Sequence, residues 1–249
     1  RPGAGDRSER RALERAQVKR GLLVACTLVL LTGCGGERAG SGSASLWVTR
    51  DRGTTVMLVR TVPAGLTAMQ ALDRELDIDT SYGGRFVQSI EGVEGDVSKQ
   101  RDWFWFLNGI EADQSAADYR LRPGDVEWWD FRSWEDEMRE PVVVGAFPEP
   151  FLHGYGGPPR PAVVRYEPGL AKGARAIGRL LNAVSVRPVS DPAPKDANVF
   201  YTVRGTQRFS ASLREDDTAA GAPVEFVFAG DAVGLARNPR RFRFRYEVP

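Results

Sequence analysis

Trp103-Phe104-Trp105-Phe106-Leu107-Asn108-Gly109 is the stretch that most restricts how this chain can fold. Successive side chains of an extended strand point to opposite faces, so Trp103, Trp105 and Leu107 share one face and Phe104 and Phe106 the other. Asn-Gly is the pair that best tolerates the left-handed angles of a two-residue hairpin turn. Asn108 and Gly109 are therefore read as structural, with Ile110-Glu111 starting the return strand. Val126 to Phe131 repeats the pattern and separates Trp128 from Trp129 and Phe131. One helix can cover one face of such a sheet, and the second aromatic face needs another cover.

The neighbouring segments supply the helix. Leu46 to Arg50 and Thr54 to Val62 are β-rich runs around an Arg52-Gly53 turn, which predicts a hairpin. Thr67-Ala68-Met69-Gln70 has the form of a capping box: the Thr67 hydroxyl takes one free N–H and Gln70 reaches back to another. Met69, Leu72 and Leu76 follow at helical spacing, opposite Asp73, Arg74 and Asp77. Phe86 to Ile90 reads as a third strand. Leu121-Arg122-Pro123-Gly124-Asp125 reads as a turn, which makes Gly124 and Asp125 structural. The order is ββαβββ, a β-grasp arrangement within an α+β class.

The chain has 249 residues, room for two ordinary domains. Residues 46–147 carry 11 basic and 19 acidic groups and all six tryptophans, whereas residues 148–249 carry 15 basic and 10 acidic. A Pro/Gly-rich stretch, residues 148–160, is expected to link them. Residues 161–249 predict a smaller α/β or α+β domain, with a helix from Leu170 to Val184 on an antiparallel sheet. Its closing run Arg240 to Tyr246 alternates basic and apolar residues and reads as a half-exposed strand, able to dock the acidic first half or meet anionic lipid.

The first 33 residues read as an address. A basic flank precedes an apolar run of eleven, Gly21 to Leu31, too short to span a bilayer as a helix and suited to a secretory signal. The run ends in Leu31-Thr32-Gly33-Cys34, which resembles a bacterial lipobox. That resemblance implies lipidation of Cys34, a cut before it, and attachment to the outer face of the cytoplasmic membrane. The other reading is an ordinary secretory signal with an incidental cysteine, or a buried apolar segment. Residues 34–45, rich in Gly and Ser, then form a flexible tether.

Gly65 to Leu72, Phe104 to Gly109 and Leu121 to Trp128 together resemble the transcobalamin carboxy-terminal-like domain: a Thr-capped helix, an aromatic strand ending in Asn-Gly, and a Pro-Gly-Asp turn before a Trp strand. The similarity covers roughly residues 54–134. It implies a β-grasp domain related to ligand-binding modules, borne by exported, surface-anchored bacterial proteins of unknown function, with cobalamin or another corrinoid as a ligand.

Composition narrows the chemistry. One histidine, His153, and two cysteines cannot assemble a multi-Cys/His zinc site. The balance of 34 basic and 33 acidic groups gives no strong pull on nucleic acid. The paired carboxylates lie in no recognisable catalytic setting, so no enzyme, metal or resident cofactor is expected. Two functions remain. The first is a membrane-tethered, extracytoplasmic small-molecule-binding protein serving an uptake system and its membrane transporter. The second is an envelope protein that binds a protein or glycan partner. Candidate ligand-binding residues are Trp105, Trp129, Trp134, Tyr82 and Tyr155, placed in a cleft between the second domain and the aromatic face turned away from the helix. The alternative is that this face is packed against the second domain.

Overall fold

A computed structural model of the chain describes residues 42–214 and 219–249. The expected signal segment 1–33, Cys34 and the expected tether up to residue 41 lie outside them; residues 43–45, read as the end of that tether, instead begin a strand. Among the described residues no helix is long and apolar enough to cross a membrane.

The architecture is mixed α/β, with three sheets and few helices. Strands β1 (Ser43–Arg50), β2 (Thr55–Pro63), β6 (Arg101–Leu107), β7 (Ile110–Glu111) and β8 (Val126–Ser133) form a five-stranded sheet in the order β2-β1-β8-β6-β7. The central pair β1/β8 is parallel and sets Trp47 beside Trp128; β6/β8 is antiparallel and sets Trp105 opposite Trp129. Alternation sorts the aromatic side chains as expected. Leu46, Val48, Trp105, Leu107 and Trp129 share a core with Met69 and Leu72 of helix α1 (Ala68–Glu75). Trp47, Phe106 and Trp128 pack on the opposite side.

The capping box forms: Gln70 N–H donates to Thr67 Oγ1 at 3.1 Å, and Thr67 N–H donates to Gln70 Oε1 at 2.9 Å. Thr67→Ala is expected to lower stability by about 1 kcal/mol, read as a shift of the denaturant midpoint. The Asn108-Gly109 turn also forms, with Phe106 paired to Glu111 and Leu107 to Ile110.

Phe86–Ile90 is a strand, β4, but it leaves the main sheet. It pairs with β3 (Ile78–Ser81) and β5 (Val93–Glu94) in a separate three-stranded sheet. Val87 and Ile90 turn into the α1-side core while Phe86 and Gln88 stay exposed, so this small sheet rims that core.

The second large sheet runs β10-β9-β11-β13-β12, built from β9 (Ala162–Tyr166), β10 (Ser185–Pro188), β11 (Asn198–Val203), β12 (Arg208–Leu213) and β13 (Val224–Ala229). It is mostly parallel, not antiparallel as expected; only β12 runs against its neighbour. The reason is the crossover: helix α3 (Ala171–Leu180) returns the chain to the starting edge before β10, which makes β9 and β10 parallel. The stretch read as a linker contains helix α2 (Glu149–Leu152), and Phe147 and Phe151 are buried with Phe200, Phe209 and Phe226. Helix α4 (Ala232–Arg237) packs beside α3.

The closing run is not a strand. Pro239–Phe242 makes a 3-10 turn, Phe244 takes a left-handed φ of 67°, and the strand-like pairing shrinks to a Phe209–Val248 bridge. The run returns to the first sheet, where the Phe244 carbonyl oxygen lies 1.8 Å from where a Cβ on Gly53 would sit. Only glycine permits that approach.

Candidate functional site

The α1 side of the first sheet carries a floor of tryptophan. Trp105 and Trp129 are 8% and 3% exposed, and their rings stack with centroids 6.0 Å apart at 22°. Each indole N–H is engaged: Trp103 with Val93 O at 2.8 Å, Trp105 with Gln114 O at 3.1 Å, and Trp129 with Glu127 Oε1 at 2.6 Å. The rings are thereby fixed in orientation, and what they offer a ligand is apolar ring surface.

A cavity of about 430 Å³ opens beside them, walled by Tyr82, Phe86, Trp103, Trp105 and Trp129. Tyr82 is 83% exposed and Phe86 42%, and the two rings meet edge to face at 6.3 Å. They stand on the β3–β4 hairpin, which is tied across the cavity mouth to the 112–118 loop. Arg85 Nη1 donates to Asp118 Oδ1 at 2.9 Å, and Ser115 Oγ donates to the Arg85 carbonyl at 2.6 Å. Arg85, Asp113 and Gln114 supply the polar lining. The cavity brings together three of the five expected ligand residues: Tyr82, Trp105 and Trp129.

The other two lie elsewhere. Tyr155 lines a separate cavity of about 340 Å³ with Pro158, Pro159, Arg160 and Asn198. Its hydroxyl donates to Asp113 Oδ1 at 2.7 Å, and burial, with that carboxylate, pushes its pKa up to about 12. Trp134 is half-buried, with its backbone N–H on Gln100 O at 2.8 Å, and it does not line the tryptophan cavity.

The face turned away from α1 is not a cleft. Val143, Ala146, Phe244 and Tyr246 cover Trp47 and Trp128 there. Tyr246 donates from its hydroxyl to buried Asp130 Oδ2 at 2.9 Å, and Arg243 lies 4.2 Å from the Trp47 ring centroid. The placement of Trp105 and Trp129 on that face is thus corrected. Both point toward α1, because each is one residue out of phase with its neighbour Phe106 or Trp128, which faces the other way.

The structural residues hold the end of the sheet. Asn108 is fully buried: its Nδ2 donates to Asp125 Oδ1 at 2.9 Å and to Gly154 O at 2.8 Å, and its Oδ1 accepts from Val126 N–H at 2.7 Å. Asp125 also accepts from Tyr119 OH at 2.9 Å and Arg122 N–H at 2.7 Å. Gly124 has φ +91°, and a Cβ there would lie 2.2 Å from the His153 ring.

Sequence reasoning passed over Glu127. It sits on β8 between Val126 and Trp128, fully buried, and its Oε2 has no hydrogen-bond partner among the described residues. Burial raises its pKa well above the ordinary carboxylate value, against the lowering effect of the Trp129 N–H. The signal was available: an acid flanked by apolar residues in a strand buried on both faces. Asp130 is raised for the same first reason, burial, and is opposed by donors from Thr49, Tyr246, Gly53 and Arg52.

Fold and site together define a mixed α/β protein with an aromatic cavity at the edge of a tryptophan-rich sheet. Residues 65–133 match the model of a family described as a domain of unknown function, DUF4430. Among solved structures, one similar chain is a provisionally described metal-binding protein from Ruminococcus gnavus ATCC 29149, determined at 1.30 Å. It is 18% identical with a TM-score of 0.31, over 37% of this chain and 98% of that one. Haptocorrin in complex with Cbi is another, 15% identical with a TM-score of 0.33, over 40% of this chain; the match spans 27% of haptocorrin's length. No curated protein sequence matches this chain.

Proposed function

We propose that this protein is a non-enzymatic capture module that holds a small planar molecule beside Trp105 and Trp129. The observation that carries the reading is the cavity of about 430 Å³ walled by five aromatic side chains, within the size range of small-molecule sites. A corrin macrocycle with its side chains exceeds that volume, so a corrinoid would seat only one edge or substituent. The β-grasp reading of residues 46–147 supports the same class of function.

The module is tethered in this proposal. Cys34 carries the lipid, the residues between it and β1 give reach, and the domain works outside the cytoplasmic membrane, handing its ligand to a membrane transporter. Cys34→Ser is expected to abolish incorporation of labelled fatty acid and release the protein from the membrane fraction. Unchanged labelling would place the lipid elsewhere.

The cavity reading is tested by thermal shift. An aromatic ligand at 100 times its Kd raises stability by about 2.7 kcal/mol. Tyr82 is almost wholly exposed, so Tyr82→Ala is expected to leave the Tm of the free protein unchanged. It should weaken the ligand several-fold, since an aromatic pair contributes about 1 kcal/mol. A ligand whose affinity ignores Tyr82→Ala binds somewhere else.

A further inference from the structure

A second cavity of about 470 Å³ adjoins the first and shares Gln114 with it. The two are also joined by the Arg85–Asp118 ion pair, for Arg85 lines the aromatic cavity and Asp118 the second. Asp118 is the one carboxylate in the second lining, and Arg85 neutralises it. Arg120 and Arg122 line the same cavity. They flank Leu121, which is buried at 2% exposure, and both are themselves exposed. Arg120 Nη1 donates to Gly65 O at 3.0 Å and Arg122 Nη2 to Gly156 O at 2.7 Å.

Those carbonyl oxygens fix the two guanidinium groups without neutralising them, and among the described residues neither arginine makes an ion pair. Each guanidinium carries five N–H donors, so most remain for an incoming acceptor. What sets the two apart from the other arginines of this half is that both line one cavity, which shares Gln114 with the aromatic one. The aromatic cavity, by contrast, offers ring surface with its indole N–H groups already engaged.

Resting on the cavity reading above, we infer that the ligand is an anionic aromatic molecule: a planar ring beside Trp105 and Trp129, joined past Gln114 to a carboxylate or phosphate held by Arg120 and Arg122. Planar guanidinium groups bind both anions through paired, charge-assisted hydrogen bonds. The ring fills the apolar chamber and the anion completes the polar one.

Calorimetric titration of the protein with 2-naphthaleneethanol, 2-naphthaleneacetate and 2-naphthyl phosphate tests this. The anionic probes should bind at least about tenfold more tightly than the alcohol at low ionic strength, and the advantage should shrink as salt screens the contact. The double variant Arg120→Gln, Arg122→Gln should lose that advantage while binding the alcohol as before, which also shows that it is folded. The larger gain of the two anions names the group. Equal affinity for all three probes, or an anion advantage that survives in the double variant, overturns this inference alone. No binding of any probe overturns the cavity reading and this inference with it.

Discussion

Trp128→Ala is expected to lose about 3–5 kcal/mol of stability and to loosen the C-terminal run. Trp128 is fully buried, with ring centroids 6.0 Å from Trp47, 5.6 Å from Phe106 and 5.6 Å from Tyr246. Its indole N–H donates to Thr49 Oγ1 at 2.7 Å, and Thr49 donates to Asp130, the carboxylate that also accepts from Tyr246. Truncation therefore opens a cavity and leaves one end of a buried hydrogen-bond chain unpartnered. Phe244 and Tyr246 lose the surface that holds them. Denaturant unfolding gives the stability, and limited proteolysis should show new cuts among residues 243–247. A variant with the wild-type midpoint would mean that the second aromatic face contributes little.

Glu127→Gln is expected to stabilise the protein at neutral pH and to flatten its pH dependence. Burial raises the pKa of Glu127 in the folded state well above the value of 4.5 it has when exposed. The folded state thus holds this proton over a window where the unfolded state has released it. Stability from this group is fully present below about pH 4.5 and is lost as pH rises toward the folded pKa. The loss is on the order of 1 kcal/mol for each pH unit in that window. Glutamine keeps an oxygen for Trp129 Nε1 and cannot ionise, so the variant should gain on the wild type as pH rises above the ordinary carboxylate value. Parallel stability curves for the two proteins would show that Glu127 stays ionised in the fold.

What was legible in the sequence was local or periodic. The capping box at Thr67 and Gln70, the Asn108-Gly109 turn and the sorting of aromatic side chains onto two faces each depend on residues a few positions apart. What was not legible depends on distant partners. Residues 240–246 alternate like a strand, yet the cover they give Trp47 and Trp128 comes from Phe244 and Tyr246 at a left-handed bend, next to a glycine nearly two hundred residues away. The parallel second sheet follows from where α3 returns the chain, which no strand's own pattern encodes. The candidate tryptophans were chosen by type, but the face of Trp105 and Trp129 was misassigned because the covering of the second face was unknown. Arg120 and Arg122 were passed over because an arginine pair beside a Pro-Gly turn looks like surface until both are seen to line one cavity next to the tryptophans.

The central claim is that the space beside Trp105 and Trp129 is a ligand site. Nuclear Overhauser contacts in a saturated complex with 2-naphthaleneacetate test it most directly. Contacts from the naphthalene protons to the indole rings of Trp105 and Trp129 and to the Tyr82 ring are the predicted result. Contacts confined to Tyr155 and its neighbours, or to the Phe244–Tyr246 run, would contradict it.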